Sequence, residues 1–113
     1  MLAKIQFDIM TNRETWVGRV EIRDLEGHPI DLTEADIRLE VQERPYNSSV
    51  LRASSSEGTI RGDENGLIEW EFSEQIMRTL QAGLYKVGLV YALQGRTTQV
   101  FLGDIQIEDG GVA

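Results

Sequence analysis

The side chains of this sequence that could do chemistry are few and scattered. There is one histidine, His28, directly before Pro29. An imidazole titrates near neutral pH and serves as base, proton shuttle or metal ligand. Each of those roles needs a partner, and no second ligand or nucleophile stands near it in the sequence. Three consecutive hydroxyls, Ser54, Ser55 and Ser56, offer nucleophiles, but a triad also needs a base and an orienting group. Nothing links these serines to His28, so the run reads as a flexible loop and His28 as an exposed turn residue. Cysteine is absent. That excludes disulfides and thiolate chemistry and fits folding in a reducing cytoplasm.

Carboxylates are plentiful. The 113 residues carry 19 Asp and Glu against 11 Lys and Arg, a net charge of −8. Asp63-Glu64-Asn65 and Asp24-Leu25-Glu26 could offer oxygens to calcium, yet neither has the longer ordered spacing of a calcium loop. A glycosidase would need two acids flanking a cleft. No spacing favours such a pair, and a chain this short leaves little room for a deep cleft. Gly58, Gly62 and Gly66 recur without the Gly-Lys-Ser/Thr of a phosphate loop. The acidity opposes binding to nucleic acid, which needs clustered Lys and Arg, and no two of the basic residues adjoin. No apolar run is long enough to span a membrane. The opening residues, with Lys4 among them, lack the apolar core of a secretory leader. These observations predict no enzyme, no cofactor, no metal, and neither a nucleic-acid nor a membrane partner.

What remains is contact chemistry. An exposed aromatic can stack on a sugar or anchor a protein interface. Tyr46, beside Pro45, is the aromatic that the sequence places in a loop. Trp16 opens a strand next to charged Arg13 and Glu14 and is expected at an end of the domain, partly exposed. Trp70 and Phe72 alternate on a strand and are expected in the core.

The elements that must position these residues have a period of two. Residues 2–10 predict one strand, with Ala3, Ile5, Phe7 and Ile9 on its apolar face. Trp16, Gly18, Val20 and Ile22 share a face. So do Ile37, Leu39 and Val41; Ile68, Trp70 and Phe72; and Tyr85, Val87, Leu89, Tyr91 and Leu93. In the last strand Val100 and Leu102 precede Ile105 and Ile107, and a bulge at Gly103 would restore the phase and leave Asp104 in water. Turn residues separate the runs: Asp24 to Gly27, then His28-Pro29, Asn65-Gly66, and Gln94-Gly95 as a hairpin turn. Residues 50–53 predict a short edge strand. One segment breaks the alternation: Ser73 is a helix N-cap, with Ile76, Met77 and Leu80 expected on one helical face. Together these predict one all-β domain over residues 1–108, an antiparallel sandwich of about seven strands with one short helical crossover, and a flexible tail over 109–113.

The spacing Leu80-x-x-Gly83-x-Tyr85, just after the helical crossover, fits the tyrosine corner of sandwich domains. There, a Tyr at the start of a late strand bonds through its hydroxyl to backbone a few residues upstream. Leu80 would pack beneath the corner, and Gly83 would allow a sharp turn or passage under the ring. Tyr85 is therefore a structural clasp.

The order of these motifs resembles a known family. Asp24-x-x-Gly27-x-Pro29-Ile30-Asp31-Leu32-Thr33, then Gly58-x-Ile60, then Leu80-x-x-Gly83-x-Tyr85, is similar to the pattern of small immunoglobulin-like proteins encoded among tailed-phage and prophage structural genes. It also resembles the N-terminal domain of some baseplate upper proteins. The resemblance implies an immunoglobulin-like fold and a non-enzymatic virion part of the tail, baseplate or head–tail region. Such a part is made in the host cytoplasm and docks on other virion proteins, with homo-oligomerisation left open. It implies no catalytic residues. The chain ends without a receptor-binding or coiled-coil extension, which favours an accessory or adaptor subunit. The contact surface expected is the polar loop 24–33, through His28, Pro29 and Asp31, together with Tyr46 and Trp16. A small carbohydrate-binding module is the alternative.

Overall fold

The computed structural model describes residues 2–5, 10–11, 14–43 and 48–109. In chain order these form β1 (Leu2–Ile5), β2 (Met10–Thr11), β3 (Trp16–Arg23), β4 (Asp36–Glu43), β5 (Ser48–Ser54), a 3-10 turn (Ser55–Glu57), β6 (Ile60–Gly62), β7 (Leu67–Phe72), α1 (Glu74–Met77), β8 (Gly83–Leu93) and β9 (Arg96–Glu108). Two sheets face each other, one ordered β1-β3-β7-β6 and the other β2-β9-β8-β4-β5. Neighbours are antiparallel, except that β2 runs parallel to β9. This is an immunoglobulin-like sandwich, with the strand order of that fold in both sheets.

The inward alternation holds. Val20, Ile22, Ile37, Leu39, Val41, Ile68, Val87, Leu89, Ile105 and Ile107 are buried between the sheets. Residues 2–10 do not form one strand. Leu2–Ile5 pairs with β3 in the first sheet, whereas Met10–Thr11 pairs with β9 in the second. Each sheet would otherwise leave a row of unpaired backbone groups on that side. By changing sheets, the segment covers both edges.

Trp16 is a further correction. It is only 2% exposed. Its ring meets Trp70 edge-on, with centroids 5.8 Å apart at 87°, and lies 5.7 Å from Phe72. Glu14 is exposed, while the strand's own phase carries the indole in. Gly18 makes this packing fit. It pairs with Trp70 across β3 and β7, and a Cβ there would stand 2.1 Å from the Trp70 ring.

The turns follow their residues. Gln94 and Gly95 have φ of 53° and 78°, the paired left-handed residues of a two-residue hairpin turn. In β9 the register shifts between Gly103 and Phe101, so Leu102 is the extra residue and Val100, Ile105 and Ile107 all face inward. β5 lies at a sheet edge, as its sequence predicts.

At the crossover, Ser73 Oγ accepts from the Ile76 N–H at 3.3 Å. Met77 and Leu80 are buried, but Ile76 is exposed. A helix of four residues is too short to present three apolar positions to one surface. Leu80 packs in the core. The Tyr85 ring is buried and its hydroxyl donates to the Gln81 carbonyl at 2.6 Å. Burial first, and the Glu43 carboxylate second, push that hydroxyl above its ordinary pKa. Gly83 is not required sterically, because a Cβ there would make an ordinary 4.0 Å contact with the Tyr85 ring. Its φ is not in the left-handed range.

Candidate functional site

The loop between β3 and β4 is held by a dense set of side-chain and backbone hydrogen bonds. It begins where β3 ends at Arg23. The Asp24 carboxylate accepts from two backbone N–H groups, those of Glu26 and His28, each at 2.9 Å. The Asp24 N–H donates to the His28 carbonyl at 2.9 Å, and Gly27 donates back to Asp24 at 3.0 Å. Gly27 supplies the left-handed φ of 86° that closes this turn. Arg23 donates from its guanidinium to the Gly27 carbonyl at 2.7 Å. An isolated backbone bridge joins Arg23 to Pro29.

The second half of the loop is held from below. Asp31 accepts from the N–H and hydroxyl of Thr33, at 3.0 and 2.6 Å. Leu32 is fully buried, and its N–H donates to the Asp63 carbonyl at 2.9 Å. Asp63 in turn shapes its own turn by accepting from Asn65 and Leu67. Both loop carboxyls sit below their ordinary pKa. For Asp24 the His28 backbone N–H is the main cause; for Asp31 it is the Thr33 hydroxyl. In both, donors aimed at the oxygens favour the charged form.

This framework presents a small set of side chains to solvent. Leu25 is 81% exposed, on a turn held by the hydrogen bonds of Asp24, Gly27 and Arg23 around it. The His28 side chain is 71% exposed, with Nδ1 3.7 Å from Asp24 and 3.6 Å from Glu26. Pro29 and Asp31 are exposed beside it. The structure thus brings together three of the expected contact residues, His28, Pro29 and Asp31. Trp16 does not join them: it lies at the opposite end of β3, about 23 Å away by strand rise, and is buried. Tyr46 falls outside the described residues. Leu25 was not singled out by sequence reasoning. The available signal was an apolar residue inside an otherwise polar turn, between two acids and before a glycine.

Among the described residues, the ion-pair partners beside His28 are the Asp24 and Glu26 carboxylates. The serine run serves the 3-10 turn: Ser55 Oγ accepts from the Ile37 N–H at 2.9 Å, and the Ser54 and Ser56 hydroxyls lie 3.2 Å apart. Among the described residues, no group of three or more His, Asp or Glu side chains is placed to hold a metal ion.

No family model matches the chain, and no curated protein matches it. Among solved structures, the chain is similar to the X-ray structure of the endo-beta-1,4-mannanase from Thermotoga petrophila, with a TM-score of 0.54 and 13% sequence identity. The match covers 90% of this chain but 18% of the mannanase, so the chain spans less than a fifth of that protein's length. At this identity the likeness is one of fold.

Proposed function

We propose that this chain is a non-enzymatic docking subunit, an adaptor among the structural proteins of a tailed-phage or prophage virion. The observation that carries the docking reading is the presentation of Leu25. A leucine side chain in water is unfavourable, and burying one contributes about 1.5–3 kcal/mol. Here it stands on a turn whose backbone is already ordered by Asp24, Arg23 and Leu32. Binding through such a residue avoids much of the entropy cost of ordering a loop. His28 and Pro29 add contact area around the anchor, and the acidic residues form a polar rim. The virion setting is supported by the motif order shared with small immunoglobulin-like phage proteins. In this chain those motif residues serve the fold: Asp24 and Gly27 shape the loop, and Tyr85 clasps the crossover.

The test is mass spectrometry of particles purified after prophage induction or phage growth, with the parent chain and with Leu25→Asp. The reading expects the parent at fixed stoichiometry with tail or neck proteins. It expects the variant to be depleted from particles while melting at the parent temperature. Absence of the parent chain from particles sinks the virion setting, and equal incorporation of the variant removes Leu25 from the interface.

A further inference from the structure

We propose that Asn65 is a site of spontaneous deamidation that the native fold holds shut, so that the chain is modified there only when the turn at 63–66 opens. The inference stands whether or not Leu25 docks on a partner. The chemistry is internal to the chain. The Gly66 nitrogen attacks the side-chain carbonyl carbon of Asn65, gives up its proton and forms a new C–N bond. The C–N bond of the Asn65 amide breaks, and ammonia leaves. Water then opens the cyclic imide at either carbonyl, giving aspartate or isoaspartate. Glycine favours the attack because it puts no side chain beside the nitrogen. The chain has three asparagines, and only Asn65 precedes a glycine; Asn12 precedes Arg13, and Asn47 precedes Ser48. Asn65 is exposed, so water reaches it.

The turn opposes ring closure. The Gly66 N–H donates to the Asp63 carbonyl at 3.3 Å, the bond that closes a β-turn. Neither Glu64 nor Asn65 has a positive φ. That makes the turn type I and sets ψ of Asn65 at about 0°. The imide ring requires another ψ, at which the Gly66 nitrogen swings away from the Asp63 carbonyl and toward the Asn65 side chain. This peptide cannot swing alone. The Ile22 N–H donates to the Gly66 carbonyl at 2.8 Å. The Asp63 carboxylate accepts from the N–H groups of Asn65 and Leu67, at 2.9 and 3.0 Å. Gly66 is buried, with the backbone of Ile22 and Ile30 packed where a side chain would stand.

Damage there would not stay local. Isoaspartate routes the main chain through the former side chain and lengthens it by one CH₂. A turn closed by these bonds has no slack for the added atom. The Asp63 carbonyl also accepts from the Leu32 N–H at 2.9 Å, so the loop at 24–33 would lose its support from below.

The test is peptide mapping by mass spectrometry after incubation at mildly alkaline pH, in buffer and in concentrated guanidinium chloride. The unfolded chain should gain aspartate and isoaspartate at Asn65 faster than at Asn12 or Asn47. The folded parent should react there at least about tenfold more slowly, because the reaction waits on local opening. Asp63→Ala removes the acceptor for Asn65 and Leu67. It should speed the folded reaction several-fold and leave the unfolded rate unchanged, with circular dichroism reporting that the variant is folded. If that variant does not fold, the two rates of the parent carry the test. Equal rates in the folded and unfolded parent overturn the proposal. So does a faster reaction at Asn12 or Asn47 in the unfolded chain, or a folded Asp63→Ala protein that reacts no faster than the parent.

Discussion

Gly18→Ala adds one methyl group and should destabilise the domain by about 2 kcal/mol. The new Cβ would lie 2.1 Å from Cε2, 2.2 Å from Cζ2 and 2.4 Å from Nε1 of Trp70. Nonbonded carbons rest near 3.5–4.0 Å, so the ring or the strand must move by more than an ångström. The ring has little freedom to do so. It is 2% exposed and meets Trp16 edge-on. The strand is fixed by pairing from Trp16 to Glu21 against β7. Overpacking of this kind costs up to about 3 kcal/mol. Against it stands a gain of about 0.5–1 kcal/mol, because Ala loses less conformational freedom than Gly on entering a strand. The net loss corresponds to a fall in Tm of about 8 °C. Thermal unfolding followed by tryptophan fluorescence reads it, and near-UV circular dichroism reports any disturbance of the indole pair. Gly88→Ala is the control, since its Cβ meets open space; it should hold or raise Tm. A Gly18→Ala protein that melts within about 1 °C of the parent would refute the packing argument outright.

Other consequences are as direct. Gly66→Ala should destabilise by at least about 2 kcal/mol in chemical denaturation, because its Cβ would lie 2.3 Å from the Ile22 carbonyl at a φ of 76°. Tyr85→Phe removes the donor to Gln81 and should cost about 1 kcal/mol, leaving association with partners intact; an unchanged Tm speaks against the clasp. Acid should loosen the loop between β3 and β4. The folded pKa values of Asp24 and Asp31 lie below the ordinary 3.8, so their contribution is present above that pH and is lost as pH falls through the lowered values. Amide exchange at Glu26 and His28 should therefore accelerate in Asp24→Ala near neutral pH, where the parent remains protected.

Local rules carried the strand phases, the Gln94-Gly95 turn, the Ser73 cap and the bulge before Asp104, because each depends on neighbours within a few residues. Pairing choices lay beyond such rules. Residues 2–10 alternate as one strand, and only the presence of two open sheet edges explains why the segment divides between them. The burial of Trp16 depended on Trp70, Phe72 and the missing Cβ of Gly18, which meet only across strands. The loop at 24–33 was legible as a surface through His28, Pro29 and Asp31. The exposure of Leu25 was not, since it follows from the Asp24 hydrogen bonds that turn that side chain outward.

The divided N-terminal segment has a mechanical meaning. Leu2 stands beside Arg23 at the loop end of the sandwich, whereas Thr11 and Glu108 stand together at the other. The described chain therefore enters near one pole and leaves near the opposite one. Tension along it loads β1 against β3, and β2 against β9, lengthwise. The hydrogen bonds of each ladder then lie across the force and must yield together instead of peeling open singly. Two short ladders, one antiparallel and one parallel, would bear a force applied between Leu2 and Glu108.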